Sequence, residues 1–125
     1  MLDEARLLFA DLLGDADCTA ILLDARGSHV AGSYLDASGA EAGARIGTAL
    51  SGMRGEVARA IPHLDVGEWR ALVIETPEST IAIAPGAEES ILLLAASSQE
   101  PHGRVRRILS RCAERSAQWL KVKAQ

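Results

Sequence analysis

The fold of this chain is decided by the stretch from Ser38 to Ile61, which reads SGAEAGARIGTALSGMRGEVARAI. Small residues recur in it at a spacing of four, so in an α-helix they would form one row along the surface. The members of this row are Gly39, Gly43, Gly47, Ser51 and Gly55. Because a glycine inside a helix costs roughly 1 kcal/mol relative to alanine, close packing against another backbone should offset that cost.

A second row, of larger apolar residues, runs beside the small one at steps of three and four. It consists of Ala42, Ile46, Leu50, Met53, Val57 and Ile61. Together the rows predict a long helix that lies on its own sheet and also packs against a copy of itself. The alternative is that the glycines only fit the helix onto its own sheet. The helix should begin at Ser38, where Glu41 completes a capping box, and end before Pro62.

Hydrophobic periodicity predicts two further helices and five strands in the rest of the chain. The predicted helices span residues 2–14, 38–61 and 104–122. The predicted strands span residues 18–23, 28–34, 67–76, 80–84 and 90–96. In the third strand, Trp69 and Val73 should point to one face of a sheet, and Leu72 to the other.

The strand order follows from the hydrophobicity of the strands and from the rules of chain connection. The first and fifth strands carry continuous apolar runs, which places them at the centre of the sheet. With a right-handed crossover through the long helix, the order becomes 2-1-5-4-3, and the third strand lies at an open edge. We therefore predict an α+β fold, a five-stranded antiparallel sheet with the long helix on one face and two terminal helices on the other.

Composition limits the class of protein. The chain has 125 residues, of which 48% are hydrophobic and 24% charged, as expected for one globular domain spanning residues 1–125. Aromatic residues make up 3%, too few for the stacking platforms that bind single-stranded nucleic acid. No apolar run approaches the roughly 20 residues of a membrane-spanning helix. Asp3 and Glu4 lie where a signal peptide would carry positive charge, so we expect a cytoplasmic protein without membrane insertion.

Charge is distributed unevenly along the chain. Residues 1–100 contain six Lys/Arg and sixteen Asp/Glu, a net charge of −10, whereas residues 101–125 contain seven Lys/Arg and one Glu, a net charge of +6. The last helix carries a basic stripe formed by Arg104, Arg107, Arg111 and Arg115. Such a stripe is typical of a solvated face, of a face that complements the acidic body or an acidic partner, or of contact with an anionic membrane.

Patterns typical of catalysis or metal binding are missing from the sequence. It contains no GxxxxGK[ST] phosphate-binding loop. His29, His63 and His102 are far apart, without a carboxylate or thiol at ligand spacing, and we interpret them as surface or turn residues. Cys18 and Cys112 lie within apolar patterns, which predicts buried thiols. We expect no enzymatic activity, no metal and no cofactor.

The order and lengths of the predicted elements resemble the Roadblock light-chain domain family, which includes the bacterial MglB-like regulators of Ras-like GTPases. The segments that carry the resemblance are AILLDARGSHVAGS at 20–33, the glycine-rich helix after it, WRALVIETPESTIAIAP at 69–85 and ILLLAA at 91–96. The resemblance extends from Leu2 to about Leu120. It implies a dimer formed through the long helix and the neighbouring edge strand. The helix after the last strand resembles the MglB type, which implies binding of a small GTPase and stimulation of its hydrolysis.

The glycine row and the open edge strand likewise predict a homodimer. The expected interface residues are Gly43, Gly47, Leu50, Ser51, Arg54, Trp69, Arg70 and Leu72. A Ras-like GTPase would lie across the surface formed by the two long helices, where Arg45, Arg54 and Arg59 would contact it. The same arginines could instead form an inert, solvated face.

Three functions are compatible with these observations. The first is a non-catalytic homodimeric adaptor that binds and regulates a Ras-like GTPase, with any stimulation of hydrolysis arising from the positioning of the partner's own groups. The second is a structural dimeric scaffold that recruits a larger complex. The third, a small-molecule sensor like the related sheets of PAS and GAF domains, is disfavoured because few aromatic and polar groups can line a pocket.

Overall fold

A computed structural model of the chain describes residues 3–36 and 38–123. The strands are β1 (Cys18–Leu23), β2 (His29–Gly32), β3 (Leu72–Glu75), β4 (Ser79–Pro85) and β5 (Ile91–Ser97). The α-helices are α1 (Asp3–Arg6), α2 (Ala10–Leu13), α3 (Gly43–Leu50), α4 (Met53–Ala60) and α5 (His102–Lys123). Leu2 and residue 37, which the sequence placed in the first helix and at the entry to the long helix, lie outside the described residues.

The strands form one antiparallel sheet in the order β2-β1-β5-β4-β3, which confirms the predicted order. β5 lies at the centre because its run from Ile91 to Leu94 is buried on both faces. Leu93 of β5 is opposite Ile21 of β1 and opposite Ile83 of β4, so three branched apolar side chains line up across the centre of the sheet. Cross-strand contacts of this kind are a main source of sheet stability.

The two faces of the sheet carry separate apolar clusters, because side chains alternate between faces along each strand. One cluster contains Leu22 and Leu94 and is covered by α5 and the N-terminal helices. The other contains Leu23 and Leu93 and is covered by α3 and the start of α4, where Ile46 packs against it. The predicted division, with the glycine-rich segment on one face and the terminal helices on the other, is confirmed.

The predicted long helix is interrupted, and the prediction of one continuous helix over Ser38–Ile61 is wrong. α3 ends at Leu50 and α4 begins at Met53. Between them Ser51 is extended, with φ −56° and ψ 128°, and Gly52 has a φ of +88°. Gly52 adopts this left-handed conformation without the steric cost that a Cβ would impose. The spacing of small residues continues across the break, so periodicity alone does not reveal it.

The beginning of the glycine-rich helix also differs from the prediction. Ser38 does not cap a helix but lies in a turn, where its hydroxyl donates a hydrogen bond to Asp36 Oδ1 at 2.6 Å. This hydrogen bond is the main cause of the lowered pKa of Asp36. Glu41 accepts hydrogen bonds from the backbone N–H groups of Tyr34 at 3.0 Å and Gly43 at 2.9 Å. Glu41 therefore satisfies one donor of the first turn of α3, the role that the sequence assigned to Ser38.

The terminal helices confirm the prediction in part. The expected helix over residues 2–14 is divided into α1 and α2 by a turn at residues 7–9. In this turn the backbone N–H of Leu8 bonds to the carbonyl of Ala5, and Phe9 is almost completely buried. α5 forms as predicted, extended slightly at each end, and buries Val105 and Leu109 with the rest of its apolar face.

Candidate interaction surfaces

Gly43 and Gly47 of α3 allow this helix to pack closely on its own sheet. A Cβ added at Gly43 would collide with the ring of His29, and one added at Gly47 would collide with the backbone carbonyl of Gly27. Gly39 lies outside α3, and Gly55 of α4 faces open space, with no atom within 4 Å of an added Cβ. The expected row along one helix is therefore not formed. The alternative interpretation, that glycines fit the helix onto its own sheet, accounts for Gly43 and Gly47.

The other residues expected at a dimer interface differ in exposure. Leu50, Trp69 and Leu72 are half-buried and pack against the apolar cluster beneath α3 and α4. Ser51, in the break between the helices, and Arg70, before β3, are exposed. The structure thus places part of this set at one margin of the sheet, and it places Gly43 and Gly47 inside the protomer.

Arg54 is bound within the protomer and is not a free surface charge. Its Nη1 donates to the backbone carbonyl oxygens of Gly86, at 2.9 Å, and of Ser90, and its Nε lies 3.5 Å from Glu89 Oε2. Only 26% of the side chain is exposed. The turn that it holds is strained, since Glu88 and Glu89 have φ values of +57° and +64°. The sequence missed this contact because the turn lies more than thirty residues away along the chain.

Replacing Arg54 with alanine should reduce the free energy of unfolding by about 1.5–3 kcal/mol, because hydrogen bonds from a charged donor to the carbonyls of Gly86 and Ser90 would be lost. Urea denaturation followed by circular dichroism measures this change. Arg59→Ala is the matched control, since the exposed Arg59–Glu56 pair should contribute less than about 1 kcal/mol. Equal destabilisation by the two substitutions would contradict the assignment of Arg54 as a structural clamp.

Arg45 and Arg59 remain at the surface, as expected. The guanidinium of Arg45 is 3.8 Å from Asp36 Oδ2, and that of Arg59 is paired with Glu56. Both arginine side chains are more than 70% exposed. Each is available to a partner, although each has a carboxylate neighbour with which a partner would compete.

The edge strand β3 is shorter than predicted, since residues 67–71 are not part of the sheet. Among the described strands, β3 pairs with β4 alone. Val73 and Ile74 are 43% and 42% exposed, although both are large and apolar. Trp69 was expected to share a face with Val73, but it packs in the same cluster as Leu72. The reason is that Trp69 precedes the strand, so the alternation of side chains does not extend to it.

Two arginines of α5 complement the acidic body, one of the interpretations offered for the basic stripe. Arg115 donates to both carboxylate oxygens of Asp11, at 2.9 and 3.0 Å, and to the backbone carbonyl of Leu8 at 2.9 Å. Arg104 pairs with Asp15 and with Glu100. Hydrogen bonds from Arg115 lower the pKa of Asp11, and those from Arg104 lower the pKa of Asp15.

The lowered pKa values of Asp11 and Asp15 predict a loss of stability in acid. Their pKa values in the folded protein are below those of the unfolded chain. The pairs therefore stabilise the fold above the unfolded pKa of about 4, and this contribution is lost as the pH falls through the folded values. Urea denaturation at a series of pH values should show that the midpoint concentration of urea falls as the pH is lowered. The fall should be smaller for Arg115→Gln. An unchanged pH dependence in that variant would show that the Asp11 pair contributes nothing.

The described histidines and cysteines differ in their burial. His29 is half-buried rather than at the surface, and its Nε2 donates to the carbonyl of Gly32 at 2.7 Å. Cys112 is buried as predicted, and burial raises the pKa of its thiol to about 12. Cys18 is only half-buried, so the prediction holds for it in part, and burial raises its pKa as well. Both thiols are thus protonated at neutral pH.

Neither a metal-binding group of side chains nor a membrane-spanning helix is present in the part of the chain that the structure describes. Within residues 3–36 and 38–123, no three His, Cys, Asp or Glu side chains are grouped so that they could hold a metal ion. Across the same ranges, no helix has the length and apolar character needed to cross a membrane.

Three solved structures have the same arrangement of elements. MglB of Myxococcus xanthus is 12% identical, with a TM-score of 0.76 over 97% of this chain and 98% of that protein. A Roadblock/LC7 domain from Streptomyces avermitilis is 17% identical, with a TM-score of 0.75 over 93% and 97%. An MglB with a tetrameric arrangement is 19% identical, with a TM-score of 0.77 over 93% and 87%.

At the level of sequence the comparisons are negative, because no protein-family model and no curated protein matches this chain. The TM-scores show that the fold is shared, whereas sequence identities below 20% do not show a shared activity. The match nevertheless covers almost the whole chain and includes the sheet order 2-1-5-4-3. The resemblance inferred from the sequence is therefore confirmed in three dimensions, and this chain has the fold of the Roadblock/LC7 domains.

Proposed function

We propose that this chain is a cytoplasmic, non-catalytic homodimeric adaptor that binds a Ras-like GTPase. The observation that carries the proposal is the match of nearly the whole chain to MglB, combined with an open apolar edge strand. MglB-like proteins, which the sequence resembles, regulate such GTPases. The proposal assigns two tasks to two parts of the molecule, self-association to β3 and partner binding to α3 and α4.

Self-association through β3 is supported by what this strand exposes. An open strand edge with apolar side chains invites pairing with another strand. Antiparallel pairing about a two-fold axis at Leu72 would place Val73 of one copy opposite Ala71 of the other. The half-buried side chains of Leu50 and Trp69 lie in the same cluster as Leu72 and would border the contact. An MglB of the same fold forms a tetrameric arrangement, so self-association occurs in a protein with this architecture.

Partner binding is assigned to the surface of α3 and α4. In a dimer related by a two-fold axis, these helices from both copies would form a shallow saddle, and one GTPase across it gives a 2:1 assembly. Arg45 and Arg59 are the exposed cations of this surface. They would attract acidic groups and mainly raise the association rate, so binding should weaken with added salt. Arg54 contributes indirectly, by fixing α4 to the β4–β5 turn.

A structural scaffold with no effect on hydrolysis is the second candidate. It is favoured by the state of the three arginines, because Arg54 is engaged internally and Arg45 and Arg59 each have a carboxylate neighbour. A scaffold would bind its partner equally well in both nucleotide states, whereas a regulator should distinguish them.

The test is titration of the folded dimer against the Ras-like GTPases encoded by the same genome, each loaded with GDP or with a non-hydrolysable GTP analogue. The proposal predicts binding of at least one GTPase, preferentially in one state, and about tenfold weaker binding after combined Arg45→Glu and Arg59→Glu substitution. Combined Arg107→Glu and Arg111→Glu substitution, at exposed positions of α5 on the opposite side of the sheet, is the charge-matched control. Binding without nucleotide preference would support the scaffold, and no binding to any GTPase would reject the proposal.

A further inference from the structure

A surface trough follows one flank of α5, between this helix and the open margin of the sheet. Its first part, of about 740 Å³, is lined by Val73, Glu75, His102 and Val105 among others. Its second part, of about 400 Å³, is lined by Trp69, Pro85, Leu109 and Ala113 among others. Arg70 and Arg106 line both parts. We refer to the two parts together as the α5 trough.

The α5 trough has a defined distribution of charge along its length. Arg70 and Arg106 lie where the two parts meet, so the positive charge of the trough is concentrated in its middle. Glu75 lies in the first part only and is already paired, since its Oε1 is 2.8 Å from Nε2 of His102. Within residues 3–36 and 38–123, Glu75 is the only carboxylate in the lining, and it is directed to a histidine and not to the arginines.

The two arginines differ from the more buried arginines of the protein. Arg54, Arg104 and Arg115 are each paired with a carboxylate. Within residues 3–36 and 38–123, no carboxylate oxygen lies within 4.0 Å of the guanidinium nitrogens of Arg70 or Arg106. Two positive groups that border one concavity without an internal partner attract an anionic group from outside.

Apolar side chains lie on both sides of the arginines, beside the polar Thr80 and Ser110. Val73 and Val105 lie on one side, and Leu109 and Ala113 on the other. The flank of α5 from His102 to Ala113 is about 16 Å long at 1.5 Å per residue. An extended peptide of about five residues spans this length. A narrow, concave and partly apolar surface fits such a peptide better than it fits a flat membrane.

We propose that the α5 trough binds an extended segment of a partner protein in which one or two carboxylates are flanked by apolar side chains. The carboxylates pair with Arg70 and Arg106, and the apolar residues cover Val73 on one side and Leu109 on the other. Val73 belongs to the α5 face of the sheet, since it is opposite Ala82 of the α5 cluster. The site is therefore separate from the α3 and α4 surface assigned to the GTPase, and it goes beyond the proposed function.

The experiment is a selection of short random peptides, displayed on phage, against the immobilised protein. Enriched peptides should contain Asp or Glu between apolar residues. Labelled copies of them are then titrated against the native protein, Arg106→Glu and Arg107→Glu. Arg107 is the matched control because it is adjacent on α5 and exposed, but it is not among the residues that line the α5 trough.

We expect Arg106→Glu to weaken peptide binding by about tenfold and Arg107→Glu by less than about twofold, with no change in the association state of either variant. Enrichment of peptides without acidic residues, or of no peptides, would overturn the proposal. So would equal losses in the two variants, which indicate general attraction by a basic helix. The protein could also bind phosphatidylserine–phosphatidylcholine vesicles and no peptide, with equal losses in Arg106→Glu and Arg107→Glu. That result would overturn the proposal and assign this face to a membrane.

Discussion

Replacing Gly47 with leucine is expected to lower the free energy of unfolding by more than about 4 kcal/mol, a loss that few single substitutions cause. The first added atom, Cβ, would already collide with the carbonyl oxygen of Gly27, and Leu23 Cδ2 lies 3.2 Å from the same position. Backbone atoms cannot rotate away as the end of a side chain can. α3 would have to separate from the turn between β1 and β2, exposing the apolar cluster beneath it.

Gly55→Ala is the matched control for this prediction, because an added Cβ at Gly55 meets open space in the middle of α4. This substitution should stabilise the protein by about 0.4–1 kcal/mol through the lower conformational freedom of the unfolded chain. Urea denaturation of both variants measures the difference. If Gly47→Leu kept the stability of the native protein and changed only its association state, the glycine would serve an interface between copies rather than the protomer.

The sheet was predictable from the sequence because its information is local. The continuous apolar run at Ile91–Leu94 can only be satisfied at the centre of a sheet, and the short turns around it require antiparallel neighbours. With β5 fixed, the order of the other strands follows from the crossover rule.

The helix break and the internal role of Arg54 could not be predicted in the same way. At Ser51 and Gly52 the spacing of small residues continues unchanged, and the interruption is marked by the backbone angles of these two residues. The position of Arg54 in the sequence is equally compatible with an exposed helix face. Its partners are the backbone carbonyls of Gly86 and Ser90, and a backbone carbonyl is present at every residue, so the sequence does not mark these two. Contacts between a side chain and a distant turn are visible only when the fold is assembled.

Substituting Ile74 with lysine is expected to convert the proposed dimer into monomers, weakening association by about 100-fold, or about 2.7 kcal/mol. Ile74 is 42% exposed on β3, so the substitution should leave the protomer folded. Pairing of β3 with a second copy would bury part of the exposed Ile74 side chain, and lysine at this position would bring an ammonium group into the contact. Lysine on an edge strand is a natural means of preventing pairing. Sedimentation equilibrium measures the change in mass.

A conservative substitution at the same position separates the effect of the charge from the effect of a changed side chain. Ile74→Thr, which keeps a β-branched side chain, should remain dimeric throughout. If the lysine variant stays dimeric, β3 does not form the interface. If Ile74→Thr is monomeric as well, the dimer depends on the apolar contact of Ile74, and the charge of the lysine is not the cause of dissociation.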